Sequence, residues 1–155
     1  MTQTQEIQRL FRVYKQQTGE RAVAPREFAQ WLAERGWDMP IPEDPVDLLA
    51  KKVQAALREE TRRDTTSGLP YKVNLTFIPE TGQGSFLVDV DEAEPHVVLK
   101  CLIQRREQTV GDVYQMELIK DHWNNTHPNE EAIQLPLDYE PDVQWKKNGP
   151  DSAAA

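Results

Sequence analysis

The residues best placed by type and spacing to do chemistry are cations. Over residues 44–63, at about 100° per residue, Val46, Leu49, Ala50, Val53, Ala56 and Leu57 fall in one arc, and Lys51, Arg58 and Arg62 on the opposite side. Lys52 and Arg63 flank that cluster. Several cations on one helical face neutralise phosphates and give salt-dependent binding. Arginine forks in a major groove also read guanine edges. The competing reading is a solvated helix face, with Glu59 and Glu60 balancing their neighbours, because any amphipathic helix must put something polar outside.

Other chemistry is thin. No glycine-rich phosphate loop, nucleophile elbow or zinc-protease motif is present. Gly82-Gln83-Gly84 lacks the third glycine of a dinucleotide site. His122 and His127 are five apart, not the four that places two ligands on one helical face. The single cysteine, Cys101, lies in a helical apolar run, where a small buried hydrophobe is expected rather than a nucleophile. One thiol also excludes an internal disulfide framework. The expectation is a protein that is no enzyme and holds no cofactor or metal. Of the four tryptophans, Trp31 is expected in the core. Trp37, in a proline-rich loop, and Trp145, in the tail, are candidate anchors of a protein interface.

The elements that must position these residues read as follows. Ile7, Leu10, Phe11 and Tyr14 predict a first amphipathic helix over 5–17, ending near Gly19. Arg21–Ala24 is short enough for a small edge strand. Pro25 opens a second helix with Phe28, Trp31 and Leu32 as its stripe, closed by Gly36. Asp44-Pro45 opens the third helix, through about Arg63, and Asp64–Gly68 breaks it. Tyr71, Val73, Leu75 and Phe77 alternate with polar residues, as do Phe86, Val88 and Val90, which predicts a β-hairpin around the turn at 79–84. A long helix follows over 95–125, ended by His127-Pro128. Ile133, Leu135 and Leu137 allow one more strand, demoted by Pro136 to an edge or loop. The tail from Asp142 to Ala155 reads as frayed or disordered.

Helix, short extended segment, helix, loop, helix and hairpin is an order that resembles a winged-helix (helix-turn-helix) domain over residues 5–91, most closely over 19–68. The elements carrying it are Gly19-Glu20, then Pro25-Arg26-Glu27-Phe28-Ala29, then the longer third helix running into the hairpin. The whole chain also resembles small bacterial proteins of no assigned activity, in stretches such as Gln104-Arg105-Arg106-Glu107 and Asp121-His122-Trp123-Asn124. The resemblance implies an α+β fold: a winged-helix-like front (1–91), a long helix and extended segment packed on it (92–141), and the tail (142–155). It also implies that helix 44–63 enters a major groove and that the hairpin acts as the wing. The wing tip, however, carries Glu80 and no Lys or Arg, and Asp89, Asp91, Glu92 and Glu94 follow it. Cations are what a phosphate-tracking wing needs, so any binding is expected to be weak.

The chain of 155 residues has a net charge of −8, but residues 1–77 carry +1 and residues 78–155 carry −9. The acidity therefore does not exclude nucleic acid, because the three-helix front is near neutral. Two partners stay open: double-stranded DNA, bound weakly through Lys51, Lys52, Arg58, Arg62 and Arg63 in a regulatory role, or a protein, with the same fold serving as an interaction module or adaptor. Leu99, Ile103, Val110 and Val113 lie near positions a and d of a heptad, with Arg106, Glu117 and Lys120 intruding. Helix 95–125 is expected to pack over the hairpin or first helix, with a homodimer through it as a further possibility. No apolar run is long enough to span a membrane and the first residues lack a signal-peptide core, so the expected location is the bacterial cytoplasm.

Overall fold

A computed structural model describes residues 1–82 and 84–149. The chain divides into two compact units, Met1–Asp44 and Pro45–Ala155.

In the first unit, α1 (Gln3–Thr18) starts in a capping box: the Thr2 hydroxyl accepts from the Gln5 N–H while the Gln5 side chain accepts from the Thr2 N–H. It ends at Gly19, whose φ of 73° is the left-handed conformation that a helix stop favours. Residues 21–24, a possible edge strand by composition, form a bend; with no second strand in this unit there is no ladder to join. Pro25 sits in the first turn of α2 (Pro25–Glu34). Tyr14, Phe28 and Leu32 form the core, with Leu10, Phe11, Val23, Trp31 and Trp37 packed around it. Phe11 meets Phe28 edge-on at 5.1 Å and Tyr14 meets Trp31 edge-on at 5.6 Å, while Phe28 and Trp31 stack at 5.9 Å. Trp31 is partly buried and packs against this core, where its spacing puts it.

The second unit holds α3 (Pro45–Glu59), β1 (Thr61–Arg63), β2 (Pro70–Lys72), β3 (Asn74–Phe77), β4 (Phe86–Asp89), α4 (Pro95–Thr126) and α5 (Glu140–Asn148). Three expectations are corrected here. First, α3 stops at Glu59, and Thr61–Arg63 pair antiparallel with Pro70–Lys72. Asp64–Gly68, read as a helix breaker, is the hairpin turn. The Asp64 carboxylate accepts the Ser67 N–H (2.7 Å), which holds its pKa below the ordinary value, and Gly68 takes a φ of 72°. Second, the alternating run 71–77 serves two ladders: residues 70–72 pair with β1 and residues 74–77 with β4. Val73 is the junction. Its N–H donates to the Glu60 carbonyl (3.2 Å), its carbonyl accepts from the Val90 N–H (2.9 Å), and its side chain is fully buried. Third, α5 occupies much of the segment read as frayed. Glu140 and Asp142 in its first turn and Lys146 and Lys147 in its last complement the helix dipole. Residues 150–155 of that tail lie outside the described residues, as does Gln83 in the turn.

The long helix matches its expected span and packs against β3, as α3 does. It closes at His127, whose N–H donates to the Trp123 carbonyl and whose ring stacks on Trp123 at 4.5 Å. Ile133, Leu135 and Leu137 make no strand. Instead the Asn124 side-chain amide both donates to and accepts from the Ile133 backbone (3.0 and 2.9 Å), satisfying there what a ladder would satisfy. Five helices and two small antiparallel hairpins make the fold α+β among the described residues. No helix among them is long and apolar enough to cross a membrane.

Candidate binding cleft

The cations singled out by sequence separate into two groups. Arg62 lies on β1 and reaches across to the end of β4: its guanidinium donates to Asp89 (2.7 Å) and Asp91 (2.8 Å), and Asp91 also accepts the Tyr71 hydroxyl (2.8 Å). The bonds to Asp89 and then Asp91 raise the Arg62 pKa, and the guanidinium holds the Asp89 carboxyl below its ordinary value. The Asp91 bond likewise raises the Tyr71 phenol. Arg63 donates to the Gly68 carbonyl at 2.6 Å, closing its own hairpin turn. Both arginines thus leave the α3 face to which helical spacing assigned them. Lys51, Lys52 and Arg58 remain on α3, all exposed.

Arg58 lines a cleft of about 670 Å³ between the end of α3, the strand run 72–78 and α4. Two clips fix its walls. The Asn74 side-chain amide donates to the Leu57 carbonyl (2.8 Å), tying the last turn of α3 to β3. The Gln104 amide donates to the Ile78 carbonyl (3.0 Å) and accepts from the Ile78 N–H, tying α4 to the end of the strand. Leu75, Cys101 and Leu102 supply apolar lining, and Arg58, Lys72 and Arg105 supply three cations. Among the described residues no Asp or Glu lines it, although the Asn74 amide also donates to the Glu60 carboxylate (3.4 Å). Cys101 is buried, and burial raises its thiol pKa, which suits a packing residue rather than a nucleophile. Among the described residues β3 pairs with a strand on one edge only.

Lys72 and Arg105 were not selected by sequence. Lys72 is one of three polar residues alternating along 71–77, and Arg105 one of a charged run, so only the fold shows that they line one cleft with Arg58. The two tryptophans that the sequence offers as interface candidates also separate. Trp37 is half-buried against the Tyr14–Phe28–Leu32 core of the first unit, whereas Trp145 stands 68 % exposed on α5.

The arrangement defines a class no narrower than a small α+β protein with a cationic, part-apolar cleft. No protein-family model, curated protein or solved structure matches the chain.

Proposed function

We propose that this chain is a protein-interaction module that takes an acidic, extended segment of a partner protein into the cleft beside β3. One observation carries the reading: in a chain of net charge −8, Arg58, Lys72 and Arg105 converge on a cleft without a carboxylate. An extended peptide is the fitting shape, because main-chain hydrogen bonds along a strand edge give affinity while alternate side chains enter the groove. The winged-helix alternative, weak DNA binding through helix 44–63, relies on five cations. The engagement of Arg62 by the wing and of Arg63 by its turn favours the protein partner over it.

The test is fluorescence anisotropy with three probes of similar size: a Glu-rich extended peptide, a Lys-rich peptide and a short DNA duplex, from about 50 to about 300 mM salt. The acidic peptide is expected to bind best. Exposed ion pairs are worth up to about 1 kcal/mol each, so Arg58→Glu with Arg105→Glu should weaken it about tenfold. Preferential binding of the duplex, or a peptide affinity untouched by both substitutions, overturns the reading.

A further inference from the structure

The exposed side of α4 carries a second surface, separate from the cleft. At about 100° per residue, Cys101 and Gln104 face β3, and Leu99, Ile103, Arg106, Val110 and Tyr114 form a stripe on the other side. These four apolar side chains are 60 %, 48 %, 50 % and 59 % exposed. All residues from Arg105 to Asp112 are exposed; Arg105 and Gln108 line the cleft, and the opposite side of this stretch faces solvent. An isolated helical stretch is marginal in water, and helices that hold their form usually do so by packing an apolar face.

Two sequence features that argued against a helical seam look different in the structure. Glu117 and Lys120, at intruding heptad positions, bond each other at 2.8 Å, and that bond raises the Lys120 pKa. They neutralise one another within the chain. Arg106 is then the remaining charge in the stripe, and its setting selects a geometry. Two parallel copies would set Arg106 against Arg106. An antiparallel crossing centred between Arg106 and Glu107 sets Ile103 opposite Val110, Leu99 opposite Tyr114, and each arginine beside the other copy's Glu107. A two-fold axis makes such a patch self-complementary.

The areas agree. Whatever the disposition of the two units, two separate compact bodies of these sizes would expose about 9,500 Å², whereas this chain exposes 13013 Å². Burying roughly 100 Å² from each of the five stripe residues, on both copies, removes roughly 1,000 Å², the lower bound of a specific interface.

We propose that the chain forms a homodimer in which α4 pairs antiparallel with α4 of a second copy, crossing at Arg106–Glu107. Sedimentation equilibrium of the full chain at tens of micromolar should return about twice 17.9 kDa. Ile103→Glu with Val110→Glu should return the monomer; Arg106→Glu alone should weaken the dimer, and adding Glu107→Arg to it should restore the pairing, a recovery that misfolding cannot produce. For orientation, Ile103→Cys and Val110→Cys proteins, mixed and mildly oxidised, should cross-link to each other and neither to itself. The buried Cys101 stays out of that reaction. A monomer at every concentration, a dimer indifferent to the two glutamates, or self-cross-linking of either cysteine protein overturns the proposal. Arg105→Glu, which tests the cleft, should leave the mass unchanged, so the two readings fail separately.

Discussion

Val73→Ala is the sharpest probe of how the second unit is built. Val73 is the residue where the β1 and β4 ladders meet, and it is 0 % exposed. The substitution keeps both backbone hydrogen bonds and removes two methyl groups. Their transfer is worth about 0.8 kcal/mol each. A residual cavity of about 40 Å³, at about 24 cal/mol per Å³, adds about 1 kcal/mol. The expected loss is therefore about 2.5 kcal/mol, which for a unit of about 110 residues lowers Tm by about 10 °C. Calorimetry, with urea unfolding followed by circular dichroism, reads it. Val143→Ala, at a half-exposed site on α5, is the control and should stay within about 0.5 kcal/mol. In the same samples the Val73 and Val90 amides should be among the slowest to exchange, because they open only with the unit as a whole. A loss below about 1 kcal/mol, or fast exchange at both amides, refutes the claim that the two hairpins share Val73 as their core.

Lowering the pH should weaken the second unit through Asp89. Its folded pKa is depressed below the ordinary 3.8 by Arg62, so its contribution is complete well above that value and is lost as pH falls through it; acid titration of Tm should flatten on Asp89→Asn. Arg62→Ala should lower the Tm of the second unit while leaving acidic-peptide affinity within twofold, the reverse of Arg58→Ala, as paired melting and anisotropy measurements will show. Phe28→Ala removes the ring that both Phe11 and Tyr14 meet and should cost about 3–5 kcal/mol, enough to unfold the first unit alone, seen in Trp31 and Trp37 fluorescence. Cys101, 4 % exposed with its thiol pKa raised by burial, should react with a thiol reagent only slowly until denaturant is added.

The helices were legible where one face is buried against a neighbour. Leu10, Phe11 and Tyr14, then Phe28, Trp31 and Leu32, carry a 3.6-residue period because each set has the other to pack on. α3 carries an equally good period, yet Leu49, Val53 and Leu57 remain exposed, so the period there does not report burial within the chain. The C-terminal end of α3 was misread because helix propensity runs on through Thr61–Arg63, where all three residues are tolerable in a helix. What ends it is non-local: Val73 takes the Glu60 carbonyl and Asn74 the Leu57 carbonyl, bonds no window around residue 60 contains. α5 was missed for the opposite reason. Its apolar residues are few, and its order rests on charges matched to its dipole and on the Asp138 carboxylate accepting the Glu140 N–H.

The site was harder to read because charge was counted along the chain, while the fold spends it across the chain. A basic helix face and an acidic wing look like two surfaces with opposite preferences, the first drawing phosphate and the second repelling it. In the structure they are partly one object, since Arg62 from the first and Asp89 and Asp91 from the second neutralise each other. The half-chain totals of +1 and −9 therefore overstate both the basic and the acidic character that a ligand meets. The cations left to act together, Arg58, Lys72 and Arg105, come from a helix, a strand and a second helix, with no common period. Their convergence follows from Asn74 and Gln104, two side-chain amides that clip α3 and α4 to one strand. Exchanging Asn74 for leucine, or Gln104 for methionine, should therefore loosen the cleft without changing a single charge, which separates the role of position from that of net charge.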